Sequence, residues 1–350
     1  MVLTFSDIII QWYEANKRDL PWRNTTDAYS IWVSEVILQQ TRVAQGLSYY
    51  VRFMQRFPTV SDLASAEESE ILKYWQGLGY YSRARNMHKA AMRVMNQHNG
   101  IFPTDFTQLL TLSGIGEYTA AAISSFAINQ AQAVVDGNVY RVLSRVFGVD
   151  LTINGNEGKK HFKTLAQSLL NEHQAGSHNQ AIMEFGALQC VPSNPDCLVC
   201  PLLSMCYAHA HKAIDKLPVK EKKKATKHRY FFYLDIRQGD DTYLQQRTEK
   251  DIWLNLFEYP LLEFSTPISV DDVLNRDELQ QNLDGCSHVE ITTISDEIKH
   301  VLSHQTIHTI FIQIKISKDN AYLQSLLKIH SRDIYDYPIS RLMHKYVEKL

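Results

Sequence analysis

Cys190, Cys197, Cys200 and Cys206, four of the five cysteines in the chain, crowd into one short tract at spacings x6, x2 and x5. Pro192, Pro195 and Pro201 are interleaved with them and hold the backbone in turns, so four thiolates can converge on one centre. This crowding is unlike the spread-out even set of a disulfide-stapled secreted domain, and it points to a reducing compartment and a metal site. Zinc and a [4Fe–4S] cluster both accept four cysteines, and the spacing does not separate them. Cys286 stands alone far downstream and reads as an ordinary small residue.

The tract lies late in what reads as a helical domain. From Phe5 to Phe147 the apolar residues recur at helical spacing, with turn signals at Phe57-Pro58-Thr59 and Gly100-Ile101-Phe102-Pro103-Thr104 between the segments. Lys159 to Gly186 continues the helical pattern into the cysteines. The stretch 216–228, with Pro218 and the run Lys220-Glu221-Lys222-Lys223-Lys224, reads as an exposed basic linker. Beyond it Tyr230 to Ile236 and Thr309 to Ile316 are aromatic and β-branched like strands, and Asp271 to Leu283 is helical. The expected fold is therefore multidomain: an all-α domain over 1–215, then an α+β domain over 229–350. With 350 residues, 45% of them apolar, there is material for two cores.

The net charge of −2 neither demands nor forbids a nucleic-acid partner, since the first 224 residues carry a net +3 and the remainder −5. No run of apolar residues is long enough to span a bilayer, and Ile8-Ile9-Ile10 is followed at once by Gln11, unlike a signal peptide. A cytoplasmic, bacterial-type intracellular protein associated with the nucleoid, a monomer with no membrane partner, is the expectation.

Three local patterns carry chemistry. Ser113-Gly114-Ile115-Gly116 is a tight turn between a helix ending at Thr107–Leu112 and a second helix starting near Tyr118, with the small residues Ala120, Ala121 and Ala122 permitting close packing. Backbone N–H groups uncovered by Gly114 and Gly116 at the start of that helix suit a DNA phosphate, although a plain αα-hairpin would show the same pattern. Glu35 lies in the helical stretch Trp32–Thr41, where Ile31, Trp32 and Leu38 are its neighbours, so its carboxyl is desolvated and favours the protonated acid. Asp136 closes the apolar run Ala133-Val134-Val135 and opens a helix. Helix capping is its common job, and a carboxylate there stays ionised. One neutral acid and one ionised carboxylate are the pair that cleaves a bond at a sugar anomeric carbon.

Leu20-Pro21-Trp22-Arg23, Ser34 to Thr41, Gly77 to Arg85, the glycine hairpin, Asp136 to Val142 and the cysteine spacing occur in an order that resembles the MutY-type adenine DNA glycosylases of the endonuclease III, or helix-hairpin-helix, superfamily. The resemblance covers nearly the whole chain. It implies hydrolytic removal of adenine mispaired with 8-oxoguanine or guanine in double-stranded DNA, after the adenine is flipped out of the duplex. Glu35 would protonate adenine N7 and help deliver water, Asp136 would stabilise the sugar cation electrostatically or through a transient covalent bond, and Tyr118 and Asn138 would position groups around it. Arg23, Leu38 and Gln180 would line the adenine pocket. Gln40, Thr41, Leu78 and Tyr80 would reach the 8-oxoguanine side, Tyr80 as a wedge, while Trp22 suits the pocket and the core equally. The four cysteines would hold a [4Fe–4S] cluster that shapes a DNA-contacting loop.

Relatives that also cut the strand carry a lysine where this chain has Tyr118, so a monofunctional glycosylase is implied. The C-terminal part resembles the Nudix-like 8-oxoguanine-recognition domain of the same family through Tyr243–Arg247 and Trp253–Pro260, without the glutamate-rich metal box of nucleotide hydrolases. Leu302-Ser303-His304 stands where the family has Phe-Ser-His, with Ser303 and His304 contacting 8-oxoguanine and its phosphate. The family commonly opens the hairpin with Pro where this chain has Ser113. Two other readings remain: an endonuclease III-like glycosylase and AP lyase, and a non-catalytic DNA-binding protein with a structural metal site made by the four cysteines.

Overall fold

A computed structural model of the chain describes residues 3–221 and 226–350, so Lys222, Lys223, Lys224 and Ala225 of the expected linker lie outside the described residues. The residues up to Ser65 and those from Asn86 to the linker pack as one compact unit, while Ala66–Arg85 packs with the residues after the linker as a second. Nothing in the pattern of Ala66–Arg85, helical like its neighbours, marks that partition.

The first unit is built around the helix Ala28–Leu38, whose residues from Ala28 to Ile37 are buried except Ser30. A helix apolar on every side must sit inside a bundle, and the helix Glu117–Ile128, whose Ala120, Ala121 and Ala122 are all buried, packs against it. A second core joins the helices Phe5–Asn16, Gly137–Phe147 and Ala175–Leu188 through Ile9, Val142, Leu143, Ile182 and Phe185. Thr4 and Asp7 cap the first of these reciprocally. Two of the three come very close: a Cβ added to Gly186 would stand 2.6 Å from Cβ of Asn138. That approach brings Asn138 beside the helix that carries Gln180.

Three helical expectations change at their ends. The stretch Trp32–Thr41 stops being helical at Leu38, with Gln39 as its cap and Gln40 in the left-handed region at φ 56°. Lys159–Gly186 is two helices, Asn156–Leu169 and Ala175–Leu188, separated by a short 3-10 turn at Glu172–Gln174. Asp271–Leu283 likewise divides into Val270–Leu274 and Asp277–Leu283. Polar side chains accompany the last two breaks: Asn171 accepts from the N–H groups of His173 and Gln174, and Asn275 donates its Nδ2 to Asp271 O at 2.8 Å.

The linker is shorter than its composition suggests. Leu217 is buried, the Ile153 N–H donates to Val219 O, and the first strand already begins at Lys227.

The glycine hairpin joins Phe106–Leu109, capped by Asp105, to Glu117–Ile128, whose N-cap Gly116 offers no side chain to its orphan N–H groups. Gly114 at φ +78° faces Asn86, and an added Cβ would lie 2.7 Å from the Asn86 Cβ.

The second unit contains an eight-stranded sheet: β1 Lys227–Gln238, β2 Asp241–Gln246, β3 Phe257–Glu258, β4 Leu261–Phe264, β5 Glu290–Ile294, β6 Ile298–Val301, β7 Gln305–Lys315 and β8 Leu327–His330. β1 runs parallel to β7 and antiparallel to β2 and β4; β7 in turn pairs with β5 and β6, and β2 with β3 and β8. Covered on both faces, β1 is apolar almost continuously, as central strands are. Phe232, Leu234 and Ile236 meet Val273 and Leu279 on one side. On the other, Phe311 stacks on Tyr346 at 3.9 Å, and Tyr346 Oη donates to the buried Asp235 at 3.0 Å.

Gly114→Ala places a side chain in the left-handed region and against Asn86. It is expected to lower the urea midpoint of the first unit by the equivalent of about 1–2 kcal/mol, and to weaken duplex binding to the same degree for every sequence.

Candidate active site

One cavity of about 750 Å³ in the first unit gathers nearly all the carboxyl and amide groups singled out above: Glu35, Tyr118, Asp136, Asn138, Arg23, Leu38, Gln40, Thr41 and Gln180 all line it. Trp22 does so too, and at the same time packs its ring edge-on against Tyr50, so it serves core and pocket together.

The two carboxyls differ in what surrounds them. Glu35 is 8% exposed and has one partner, the Tyr118 hydroxyl, which donates to Oε2 at 2.8 Å. Burial pushes its carboxyl from 4.5 up to about 7, against the pull of that hydrogen bond. The charge of Asp136 pushes in the same direction as burial and that of Arg23 opposes it. Asp136 caps the helix Gly137–Phe147: Oδ1 accepts from the N–H groups of Asn138 at 2.9 Å and Val139 at 2.8 Å, and Oδ2 from Asn138 Nδ2 at 2.9 Å. Burial raises Asp136 overall as well, with those bonds and Arg141 opposing it only in part. With three donors on Asp136 and one on Glu35, a proton entering this pair settles on Glu35 and the negative charge on Asp136.

Several residues of this cavity escape a reading of the sequence. Glu184 is 1% exposed and takes paired hydrogen bonds from two guanidiniums: Arg18 at 2.8 and 2.5 Å, and Arg23 at 2.8 and 2.7 Å. Burial alone would raise Glu184, but its arginine partners outweigh it and hold the carboxyl near 2. Arg23 is thereby fixed with its guanidinium over the Tyr13 ring, and Tyr13 donates to Gln180 at 2.5 Å. Glu184 stands one helical turn beyond Gln180, the i+4 spacing that could have drawn attention to it. Arg141, one turn beyond Asn138, donates to Asn138 Oδ1 at 2.8 Å, to Gly186 O at 2.6 Å and to Cys190 O at 2.6 Å. It links the Asp136 cap to the first cysteine.

The cysteine tract is tied to the same helix by Arg145, 2% exposed, which donates to Val191 O at 2.7 Å, Pro192 O at 2.8 Å and, more weakly, Cys190 Sγ at 3.6 Å. Two further carbonyls, of Ile214 and Leu217, accept from its Nε at 3.2 Å. Cys190, Cys197 and Cys206 all lie near enough to act electrostatically on Cys200, so the four thiols share one region. Among the described residues no three or more His, Cys, Asp or Glu side chains are arranged to hold a single metal ion.

The remaining expected site residues belong to the second unit. Tyr80, in the left-handed region at φ 47°, Ser303 and His304 line a cavity of about 400 Å³ there, and the Tyr80 hydroxyl meets Ser303 Oγ. Leu78 is buried beside it, its N–H donating to Trp75 O at 3.1 Å. No helix among the described residues is long and apolar enough to cross a membrane.

Residues 33–171 match the HhH-GPD superfamily of base excision DNA repair proteins, and residues 232–349 match the NUDIX domain. Among solved structures, a thermostable thymine-DNA glycosylase is 30% identical with a TM-score of 0.55, covering 59% of this chain and 95% of its own. An endonuclease III–DNA complex, 22% identical with a TM-score of 0.51, shares the fold over 59% of this chain and 94% of its own. The helical scaffold, the hairpin and the buried carboxyl pair thus define a helix-hairpin-helix DNA glycosylase joined to a Nudix-like domain.

The adenine DNA glycosylase of Buchnera aphidicola from Schizaphis graminum is 35% identical over 317 residues, 90% of this chain and 89% of its own. That of Rattus norvegicus is 45% identical over 217 residues, 59% of this chain and 42% of its own. The chain belongs to the adenine DNA glycosylase family, enzymes of base excision repair that remove adenine from DNA.

The placement of Glu35 has a consequence for stability. Its pKa is about 7 in the folded chain and 4.5 ordinarily, so the advantage of the buried neutral acid is complete below pH 4.5 and lost as the pH rises through 7. Glu35→Gln keeps the shape and the Tyr118 hydrogen bond but has no charge to desolvate. Urea melts should show the variant equal to wild type at pH 4, and more stable at pH 8 by about 2 kcal/mol.

Proposed function

We propose that the chain is a monofunctional glycosylase that hydrolyses the N-glycosidic bond of adenine paired with 8-oxoguanine or guanine. The observation that carries this reading is the unequal carboxyl pair in one cavity, with the Tyr118 hydroxyl, and no amine, donating to Glu35.

Glu35, holding a proton near neutral pH, gives it to N7 of the extruded adenine. The C1′–N9 bond then breaks with its electron pair leaving on the base. Asp136 faces the positive charge that develops on the sugar, its three donors keeping it ionised and Asn138 keeping it aimed. Water adds to C1′ and its proton returns to the Glu35 carboxylate, so the acid is regenerated.

Arg23 and Gln180, held by Glu184 and Tyr13, supply a rigid polar wall for the adenine edge, with Leu38 against its face. Gly114 and Gly116 take a DNA phosphate on uncovered N–H groups. Tyr80, Ser303 and His304, which line one cavity of the second unit, are the residues for 8-oxoguanine.

The cysteine tract fits a [4Fe–4S] cluster on Cys190, Cys197, Cys200 and Cys206. The four thiols share one region, as the ligands of a four-iron cube do. The cluster supplies a rigid organisation of this loop when bound. Arg145 and Arg141 supply positive charge beside its thiolates, and Pro192, at the loop's start, lines the adenine cavity.

Two measurements test this. In single turnover on a duplex with one 8-oxoguanine·A pair, strand scission should appear only after alkali. The rate should fall about tenfold per pH unit above 7 as Glu35 loses its proton, and Glu35→Gln should be inactive. Scission without alkali would instead show a lyase. Metal analysis of the purified protein should give about four irons and four acid-labile sulfides per chain, lost in Cys200→Ser; one zinc per chain would refute the cluster.

A further inference from the structure

The turn that carries Ser303 and His304 is exposed, and Leu302, only half-buried, gives it little anchorage of its own. Its backbone ties are the Leu302 N–H to Gln305 O at 2.8 Å and the Lys227 N–H to His304 O at 3.2 Å. Behind it lies a dense charge network on the face of β1. The Arg229 guanidinium, its side chain 7% exposed, lies over the Phe231 ring at 4.9 Å and reaches three separate segments. It grips both oxygens of Glu263 on β4, each at 2.7 Å. It donates to Asp251 Oδ2 at 2.5 Å, and its remaining arm reaches Gln305 Oε1 at 3.4 Å, the residue that closes the Ser303–His304 turn.

Asp251 is shared with a second arginine. Arg247 donates to it at 3.2 Å, to Glu258 at 2.9 Å and to Ile252 O at 3.1 Å. Both Asp251 and Gln305 line the cavity of about 400 Å³ that also holds Tyr80, Ser303 and His304. Both guanidiniums and the Glu258 carboxylate therefore sit largely out of water beneath one wall of that cavity, while Asp251 and Glu263 are about a third exposed. Such a network is costly to desolvate compared with apolar residues of the same shape, and its gain lies in specifying one arrangement of the groups it joins. Taking Arg229 away leaves Asp251 and Glu263 facing each other without a shared cation and frees Gln305.

We propose that Arg229 is a positioning residue for discrimination between 8-oxoguanine and guanine opposite the adenine: through Asp251 and Gln305 it holds the two loops between which the Ser303–His304 turn meets its base. The proposal rests on the assignment of that turn to 8-oxoguanine. Arg229 is buried behind the turn and lines neither cavity, so its removal changes the choice of partner base and leaves the chemistry on adenine as it was.

The experiment is single-turnover kcat/KM of the full-length, cluster-loaded protein on duplexes carrying 8-oxoguanine·A and G·A, expressed as a ratio, with thermal unfolding of each variant alongside. Arg229→Met should lower the ratio about tenfold, with the G·A rate constant unchanged within about twofold. Gln305→Met removes only the arm to the turn and leaves every ion pair in place. It should lower the ratio about threefold with no change in unfolding temperature, which a merely structural role of the network would not produce. Ser303→Ala is the reference for the underlying assignment. If Ser303→Ala lowers the ratio and Gln305→Met and Arg229→Met do not, the positioning role is overturned and the assignment stands. If Ser303→Ala leaves the ratio untouched, both fall. A drop in Arg229→Met that comes only with loss of folding, while Gln305→Met is neutral, also overturns the proposal.

Discussion

Everything in the first unit depends on keeping one carboxyl neutral and its neighbour charged inside the same cavity. A buried glutamate with one hydroxyl donor is an unfavourable ion, and Glu35 sits there because the helix Ala28–Leu38 is buried on all sides. Asp136, raised by burial too, closes a helix N-terminus, where backbone N–H groups that need an acceptor in any case are turned on it and offset part of that burial. The unequal carboxyl pair then follows from two ordinary structural facts, a central helix and a helix cap.

The arginines of the unit make that arrangement rigid. Arg18 and Arg23 hold Glu184, Arg141 joins the Asp136 cap to the first cysteine, and Arg145 gathers carbonyls from both ends of the cysteine tract. The bonds of Arg141 and Arg145 run mostly to main-chain oxygens, so they fix loop geometry rather than simply balance charge. Through Pro192 the tract is thereby part of the wall of the cavity that holds the carboxyl pair. In the second unit Arg229 and Arg247 act in a similar way on loops that regular structure does not reach.

Much of the fold was legible because its signals are local. Helical periodicity, the Gly114–Gly116 turn, the aromatic strands and the cysteine spacing each depend on a few neighbouring residues. What was misread lay at ends, where short polar side chains compete for backbone groups. Asn171 and Asn275 stand where helices break, and Gln40 turns left-handed just past Leu38. Leu217 looked like linker because its neighbours are charged, yet it is buried and its carbonyl is bound by Arg145, a partner 72 residues away.

Sequence alone determined that Glu35 would sit among apolar groups, that Asp136 would begin a helix and that four cysteines would share one loop, since each follows from residues within a turn or two. Tertiary structure decided which distant groups meet them: Tyr118 on Glu35, Glu184 on Arg23, Arg141 between Asn138 and Cys190, and the packing of Ala66–Arg85 with the C-terminal unit. The division has a physical cause. Burial and capping are set by neighbours along the chain, whereas ion pairs and side-chain hydrogen bonds are set by which helices approach closely enough, and that distance is a property of the whole packed core.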